Sequence, residues 1–361
     1  MIDNLQTIID AFAFEGIYQS AKDFGNGHIN DTFRLDFKDN LYILQRINDD
    51  VFKNPSELMD NVERVTEHLK AKIKEEGGDP SRETLNVIKT KSGENFYRDE
   101  NDNYWRAYDF IANTISYDLV EDPQDFYQSG LAFGTFQKRL ADFPIETLNY
   151  TIKDFHHTPK RFQTFLASLK ENRSQRKEQA QQEIDFVLEQ EAFTNTLWDY
   201  YEQGKLDLKV THNDTKLNNV LIDKESKKAI CVVDLDTVMP GFALDDFGDS
   251  IRFGASTALE DEKDLAKVQF DLELYEVYVK GFLEGAQGSL SPLEIELFPE
   301  AARMLTLETG IRFLTDFLDG DVYFKTEYPE HNLVRARTQL KLVQEMDKVW
   351  DEMKAISQKY Q

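Results

Sequence analysis

Residues 211–223, THNDTKLNNVLID, place Asp214 and Asn219 in a short polar stretch between apolar segments. A second segment, CVVDLDTVMPG at residues 231–241, follows closely and interrupts an apolar run with Asp234. Carboxylates and amides beside buried strands are costly unless they are paired or take part in chemistry. The two segments therefore indicate a polar site built around the ends of strands.

The spacing within these segments is typical of phosphoryl transfer. Asp214 and Asn219 lie five positions apart, and Asp234 ends a predicted strand. Transfer from ATP needs one carboxylate at the attacking hydroxyl, and an amide oxygen with a second carboxylate on Mg²⁺. Hard oxygen ligands without a cysteine cluster favour magnesium over zinc. We expect Asp214 to be catalytic and Asn219 and Asp234 to bind the metal; the alternative is a polar turn whose side chains satisfy loop amides.

Composition narrows the class of protein. The chain has 361 residues, 40% of them hydrophobic, so a packed core is expected. A formal net charge of −25 argues against nucleic acid and anionic membranes as partners. Cys231 is the single cysteine, which excludes an intrachain disulfide. The amino terminus has no signal-peptide pattern and no run approaches a membrane span, so a cytoplasmic location is expected.

The first third of the chain predicts a sheet with one long helix. A short helix over about residues 4–14 precedes strands across residues 17–48, where apolar residues alternate between turns. A helix follows over residues 54–78, with Ser56 as its candidate N-cap. Three further strands are predicted in ETLNVIKT, ENFYRDE and NYWRAYDFI.

The rest of the chain predicts mainly helices. One covers residues 122–143, the next begins with Thr158 and Pro159, and a long charged helix is predicted over about 176–203. We therefore predict an α+β fold with a small β-rich N-lobe over residues 1–107. The hinge and a larger, mainly helical C-lobe would occupy residues 108–361.

The motifs HNDTKLNN, VVDLD and DDFGD together resemble those of the aminoglycoside phosphotransferase-like kinases, relatives of the protein kinases. Within that family the whole chain is similar, in order, to the N-acetylhexosamine 1-kinases. The segments that carry this similarity include GNGHINDTF, YILQRIN, WRAYDFI, FHHTPKRF, DFGDSIRFGA and RFLTDFLDGDVYF. The resemblance implies a protein-kinase-like bilobal fold, ATP and Mg²⁺, and phosphorylation of the anomeric hydroxyl of a small sugar.

The resemblance also suggests a nucleotide site in the N-lobe. The strand lysine that kinases usually carry is missing from LYILQRIN, and Arg46 matches its position best. An arginine offers a planar donor fork suited to phosphates, and its expected helix partner is Glu63, or otherwise Glu57. A surface role for Arg46 is the alternative. The main chain of the predicted hinge would pair with the adenine edge at Tyr108, Asp109 and Ile111.

The acceptor pocket is carried over from the same resemblance. Its expected sugar contacts are His28, Phe253, Arg312 and Tyr323. From spacing alone, Arg312 could instead pair with Glu308 or Asp316.

The resemblance also implies supporting roles. His212 would brace the catalytic loop, and one of Asp246 and Asp249, taken as Asp246, would hold it by accepting backbone hydrogen bonds. A third metal ligand at Asp246 or Asp249 is the alternative, and Asp236 would support the metal strand.

Other functions remain compatible with the motifs. A kinase of the same fold could act on choline, homoserine, methylthioribose or an aminoglycoside. A non-catalytic nucleotide-binding relative and a metal hydrolase are weaker alternatives, because Asp214, Asn219 and Asp234 are all present and the ligands for a second metal are not recognisable. Oligomeric state and the preference between gluco and galacto epimers stay open.

Overall fold

The computed structural model describes residues 4–25 and 29–361, which form two compact units. The first unit runs to Ser116 and adds Asp142–Lys153 and Val220–Met239. The second comprises Tyr117–Ala141, Asp154–Asn219 and Pro240–Gln361. Segments beyond residue 107 thus belong to the first unit, so the division is not a single cut along the chain.

Both units combine strands and helices. The strands are β1 Tyr18–Asp23, β2 Asp31–Phe37, β3 Leu41–Ile47, β4 Val87–Ile88, β5 Tyr97–Arg98, β6 Tyr104–Asp109, β7 Thr114–Ile115, β8 Lys209–Thr211, β9 Val220–Asp223, β10 Ala229–Val232 and β11 Met239–Gly241. The α-helices are α1 Leu5–Ala11, α2 Pro55–Glu75, α3 Pro80–Glu83, α4 Pro123–Arg139, α5 Thr158–Glu171, α6 Gln181–Glu189, α7 Thr196–Glu202, α8 Ala243–Gly254, α9 Leu272–Ala286, α10 Pro292–Glu296, α11 Phe298–Asp319, α12 His331–Lys348 and α13 Trp350–Lys359.

The first unit is built on an antiparallel sheet in the order β1-β2-β3-β6-β4, with β5 also paired to β6. Alternation along β3 buries Tyr42 and Leu44, which join a core with Leu35, Trp105 and helix α1. A second sheet, β10-β9-β7, carries the strand that leads to Asp234. The strands predicted from the sequence are confirmed, while α2 begins at Pro55 after Asn54, one residue before the predicted cap.

Helices α4 and α9 of the second unit approach each other through glycines. A Cβ atom at Gly134 would lie 2.1 Å from the carbonyl oxygen of Phe282, and one at Gly285 would lie 2.3 Å from that of Leu131. Any side chain at these positions would push the two helices apart. This close packing fixes α4, whose residues Phe133 and Phe136 also contact the ring of His212, two residues before Asp214.

Helix α11 runs through the core of the second unit and is buried along almost its whole length. From Leu307 to Leu318, its apolar residues pack in one cluster with residues of α5, α6 and α12. A helix buried on all sides should be apolar all round. The buried Glu308 and Asp316 depart from that rule and need partners.

The prediction of one long helix over residues 176–203 is wrong. The structure has α6 and α7 there, with an irregular turn between them. The Thr194 hydroxyl and the Asn195 side-chain amide both donate to the carbonyl of Glu191, at 2.6 and 3.0 Å. Short polar side chains that bond nearby carbonyls compete with the helical hydrogen-bond ladder, which accounts for the break.

Candidate active site

In the second unit, the buried carboxylate of Asp246 on α8 holds the loop that carries Asp214. The main-chain N–H of His212 donates to Asp246 Oδ2 at 3.0 Å, and that of Asn213 donates to Oδ1 at 2.7 Å. Gln137 of α4 adds a third bond at 2.7 Å. Burial raises the pKa of Asp246, while the N–H donors favour its ionised form. These bonds are those of a residue that holds the loop.

Asp249, one helical turn further along α8, is occupied in the same way. Its carboxylate accepts the N–H of Thr215 at 3.0 Å and lies 2.9 Å from the guanidinium of Arg252. With both carboxylates bonded to protein donors, neither Asp246 nor Asp249 is arranged as a third metal ligand.

Asp214 lies at the open side of this loop and is only partly buried. Its Oδ1 is 3.1 Å from the ammonium of Lys216, and the amide of Asn219 donates to its Oδ2 at 3.3 Å and to its carbonyl at 2.8 Å. Burial alone would raise the pKa of Asp214, but the charge of Lys216 outweighs that effect and lowers the pKa below its ordinary value. Asp214 is therefore ionised at neutral pH and can accept a proton.

His212 packs beneath the loop and does not face its open side. Its ring contacts Phe133 and Phe136 edge-on, with centroids 5.4 and 5.9 Å apart. Its Nδ1 accepts the N–H of Asp214 at 3.3 Å. This geometry suits a bracing role, and such a role stays our proposal for His212.

In the first unit, Asp234 follows β10 in the left-handed conformation, with φ 61° and ψ 60°. A residue other than glycine occupies this region rarely, and such strain concentrates at functional sites. Two residues later, the buried Asp236 pairs with Arg106 of β6 and accepts a hydrogen bond from Asn30 at 2.7 Å. The segment that carries Asp234 is thereby tied to the sheet and to the end of the β1–β2 turn.

The predicted ion pair between Arg46 and Glu63 is wrong. Arg46 pairs with Asp31 on the neighbouring strand, while Glu63 pairs with Lys89. The register places Arg46 opposite Trp105 and turns it away from Arg106, whose Nε donates to Gln45 at 2.9 Å. A contact of Arg46 with phosphate stays a prediction, and the sequence reading missed the buried Arg106.

The predicted hinge begins at the end of β6, which includes Tyr108 and Asp109. Tyr108 and Ile111 are buried, and burial raises the pKa of Asp109. The N–H groups of Asp109 and Phe110 donate to the carbonyls of Asn86 and Leu41, at 3.1 and 3.0 Å. An adenine edge would therefore have to use other main-chain groups of this segment.

Arg312 stands in an aromatic cluster of the second unit. Its guanidinium carbon lies 5.4, 6.0 and 5.5 Å from the ring centres of Phe155, Tyr323 and Phe324. In the described part of the chain, no carboxylate lies within ion-pair distance of Arg312. Glu308, one of its expected partners, bonds His156 and Thr158 instead. The alternative in which Arg312 serves only as an ion-pair partner is not what the structure has.

Asp316 holds the loop that presents Tyr323. Its carboxylate accepts the N–H groups of Val322, Tyr323 and Phe324 at 2.8–2.9 Å and a bond from Asn332 at 2.8 Å. The Tyr323 ring itself is 62% exposed. The loop is thus fixed while its aromatic side chain stays accessible.

Phe253, a further predicted sugar contact, lies beside the loop that carries Asp214. Its ring centre is 4.0 Å from the guanidinium carbon of Arg252 and 5.1 Å from Lys216 Nζ. His28, the fourth predicted sugar contact, lies outside the described residues.

Phe155 and His156 connect the aromatic cluster to the loop that carries Asp214. No role was predicted for either residue from the sequence. The Phe155 ring packs near Arg312, and His156 bonds the carbonyl of Asn213 at 3.0 Å. Arg161 of α5 donates to the Phe155 carbonyl at 2.9 Å. Burial and the neighbouring charge of Arg312 lower the pKa of Arg161. The segment FHHTPKRF carried the only sequence signal for these groups.

The expected magnesium ligands offer hard oxygens, which fit that ion. The amide nitrogen of Asn219 is used by Asp214, which leaves its amide oxygen as the ligating atom. Within residues 4–25 and 29–361, no three histidine, cysteine or acidic side chains gather as a metal site, so phosphate oxygens would have to complete the shell. No helix in those same residues is long and apolar enough to cross a membrane.

Comparison with known proteins gives one family and one fold. A model of the phosphotransferase enzyme family matches residues 20–278. A microcompartment-associated aminopropanol kinase superposes with a TM-score of 0.62 at 15% identity, covering 98% of this chain and 99% of its own. An aminoglycoside phosphotransferase from Alicyclobacillus acidocaldarius superposes with a TM-score of 0.64 at 11% sequence identity, covering 98% of this chain and 96% of its own. Spectinomycin phosphotransferase, solved with ADP and spectinomycin, superposes with a TM-score of 0.58 at 14% sequence identity, covering 96% of this chain and 98% of its own. The predicted α+β kinase-like fold is confirmed.

Proposed function

The chain belongs to the phosphotransferase enzyme family, and within it we propose a kinase that transfers the γ-phosphoryl group of ATP to the anomeric hydroxyl of N-acetylhexosamines. The observation that carries the proposal is the cluster around Arg312. Among the described residues this guanidinium has no ion-pair partner, and it stands among aromatic rings next to the exposed Tyr323. Sugars offer hydroxyls to such a donor fork and apolar ring faces to such aromatics.

Charge supports a neutral acceptor over a cationic one. Burial and the charge of the neighbouring Arg312 lower the pKa of Arg161, so two guanidinium groups lie near each other in this region. Choline and aminoglycosides are cations, so each would meet like charge at these positions. An N-acetylhexosamine carries no charge and avoids that repulsion.

Asp214 would orient the acceptor and take its proton. In a loose phosphoryl-transfer transition state the hydroxyl needs little deprotonation early, so orientation is the larger contribution. The carboxylate is ionised and held by Lys216 and Asn219, so it can accept the proton late in the reaction. An anomeric hydroxyl is more acidic than an ordinary alcohol, which eases that step.

Nucleotide and metal would bind at the residues already described. Asn219 and Asp234 would hold Mg²⁺, which neutralises charge on the phosphates when bound. The segment from Tyr108 to Ile111 would contact adenine. A relative of the same fold, spectinomycin phosphotransferase, is solved with ADP, which supports ATP as the donor.

A substrate panel tests the proposal. Purified protein would be assayed for ATP consumption with N-acetylglucosamine, N-acetylgalactosamine, choline, ethanolamine, homoserine and kanamycin, each with Mg²⁺. We expect turnover with one or both N-acetylhexosamines, and formation of a sugar 1-phosphate seen by phosphorus NMR. Turnover with a cationic acceptor and none with either sugar would overturn the proposal while leaving the family unchanged.

A further inference from the structure

We propose that His156 is a positioning residue: as a doubly protonated imidazolium it clamps the carbonyl of Asn213 against Glu308 and so fixes the peptide that carries Asp214. This inference rests on the catalytic role proposed for Asp214. It does not depend on which acceptor the enzyme phosphorylates.

Both ring nitrogens of His156 face acceptors. Nε2 lies 3.0 Å from the carbonyl oxygen of Asn213, and Nδ1 lies 2.8 Å from Oε1 of Glu308. A carbonyl oxygen can only accept, so Nε2 carries a proton. The other carboxylate oxygen of Glu308 accepts the hydroxyl of Thr158 at 2.7 Å, an arrangement that suits an ionised carboxylate. The second proton then lies on Nδ1.

Burial makes the charge state of this pair consequential. The side chain of His156 is 6% exposed and that of Glu308 is fully buried. A buried charge is stable only with a close partner of opposite sign, and each of these groups supplies one to the other. Burial alone would lower the pKa of His156, but the carboxylates of Glu308, Asp245 and Asp249 raise it to about 9.

Other titratable and charged groups surround His156 and Glu308. Arg161 of α5 and Arg312 of α11 help to keep Glu308 ionised, because their charges lower its pKa against the opposing effect of burial. Asp245 of α8 is itself buried, and burial raises its pKa to about 7. The neighbouring His157 stacks on Trp198 at 3.9 Å and has its pKa lowered by burial and by Lys160.

The clamp acts on the peptide bond between Asn213 and Asp214. Its oxygen is held by His156 Nε2, and its N–H donates to His212 Nδ1 at 3.3 Å. Asn213 has a left-handed backbone, with φ 65°, and its own N–H is held by Asp246. Asparagine tolerates this conformation better than most residues, and the hydrogen bonds on both sides of the peptide keep it in this orientation. Loss of the imidazolium would let the peptide turn and move the Asp214 carboxylate.

The first test measures protonation without any acceptor. Protein with ¹⁵N-labelled histidines would be studied by NMR at pH 7.5, and the His156 signals assigned by their loss in His156→Gln. We expect two protonated ring nitrogens at this site, and loss of the imidazolium as the pH rises through about 9. A neutral ring, with Nδ1 unprotonated at pH 7.5, would overturn the proposal.

The second test measures turnover with whichever acceptor the panel identifies. In the wild type kcat should fall as the pH rises through about 9, and Glu308→Gln should move that fall to lower pH. His156→Gln should lower kcat by up to about a hundredfold, the loss that a misplaced catalytic group can cause. Nucleotide affinity should be retained.

His157→Gln is the matched control, since it changes the adjacent histidine outside this contact. Its profile should follow the wild type. An alkaline fall that stays in place in Glu308→Gln would contradict the clamp, as would full kcat in a folded His156→Gln enzyme. The NMR result stands whether or not the sugar proposal holds, so the two failures are distinguishable.

Discussion

The ammonium of Lys216 lies 3.1 Å from Oδ1 of Asp214, two residues earlier on the same loop. The two groups stabilise each other's charged forms. Burial would raise the pKa of Asp214, but Lys216 lowers it, while Asp214 raises the pKa of Lys216 against the effect of burial. A base that remains ionised over a wide pH range is useful to an enzyme that must orient a hydroxyl. The pair also gives Asp214 one preferred position.

Replacing this lysine should change the acid side of the pH profile. Lys216→Met removes the nearest positive charge, so the pKa of Asp214 rises and a larger fraction is protonated at mildly acid pH. The acid limb of kcat/KM should therefore move to higher pH. Lys216→Arg, which keeps the charge, is the control and should retain the wild-type limb. An identical acid limb in all three enzymes would show that Asp214 does not govern it.

The acceptor pocket should respond to Arg312 separately from the nucleotide. Arg312→Ala should raise KM for the sugar by roughly ten- to a hundredfold, because a hydrogen bond from a charged donor contributes about 1.5–3 kcal/mol. Tyr323→Phe should have a smaller effect, and KM for ATP should stay unchanged in both. Arg337→Ala, at an arginine that pairs with Glu183, is the control. An increase confined to the KM for ATP would place Arg312 in the wrong site.

The metal ligands should differ in importance. Asp234→Ala removes a charged ligand and should abolish turnover while leaving the circular dichroism spectrum and thermal midpoint near wild type. Asn219→Ala removes a neutral ligand that water can replace, so it should lower kcat less and be partly rescued by higher Mg²⁺ concentration. Near-normal activity of Asp234→Ala would contradict the assignment of Asp234 as a metal ligand.

We expect the buried ion pair of Arg106 and Asp236 to contribute more to stability than the exposed pair of Arg46 and Asp31. Asp236→Ala leaves a buried guanidinium without its partner, which should lower the free energy of unfolding by about 3–5 kcal/mol. Asp31→Ala breaks a pair in which both side chains are about half exposed, and should change the free energy of unfolding by about 1 kcal/mol or less. Urea denaturation measures both variants, and similar values for the two would contradict this account.

Much of the fold could be read from local patterns. Alternation along β3 fixed its inward residues, and the Thr158–Pro159 signal marked the start of α5. The break between α6 and α7 was missed because it depends on side chains competing for one carbonyl, which helical periodicity does not register. The spacing of Asp214 and Asn219 placed both side chains on one loop, and the structure has them within hydrogen-bond distance, while their roles stay a prediction.

Partners distant in sequence were the harder part. Arg46 lay at the expected place in the sequence, but strand register decides which face it occupies, and that face holds Asp31. The pairing of Arg106 with Asp236 joins residues 130 positions apart, and that of His156 with Glu308 joins residues 152 apart. Such pairs follow from how buried helices and strands pack, which a single sequence does not encode locally.

The most direct test of the account is a paired measurement on Asp214→Asn, which keeps the shape of the side chain but removes its charge and its ability to take a proton. We predict that kcat with an N-acetylhexosamine falls by roughly two to four orders of magnitude, the range typical of general acid–base groups. Nucleotide affinity, measured by calorimetry with ADP and Mg²⁺, should remain within about twofold, since Asp214 does not bind the metal in this account. Unchanged kcat would remove Asp214 from the mechanism, and parallel loss of nucleotide affinity would move it into the metal site.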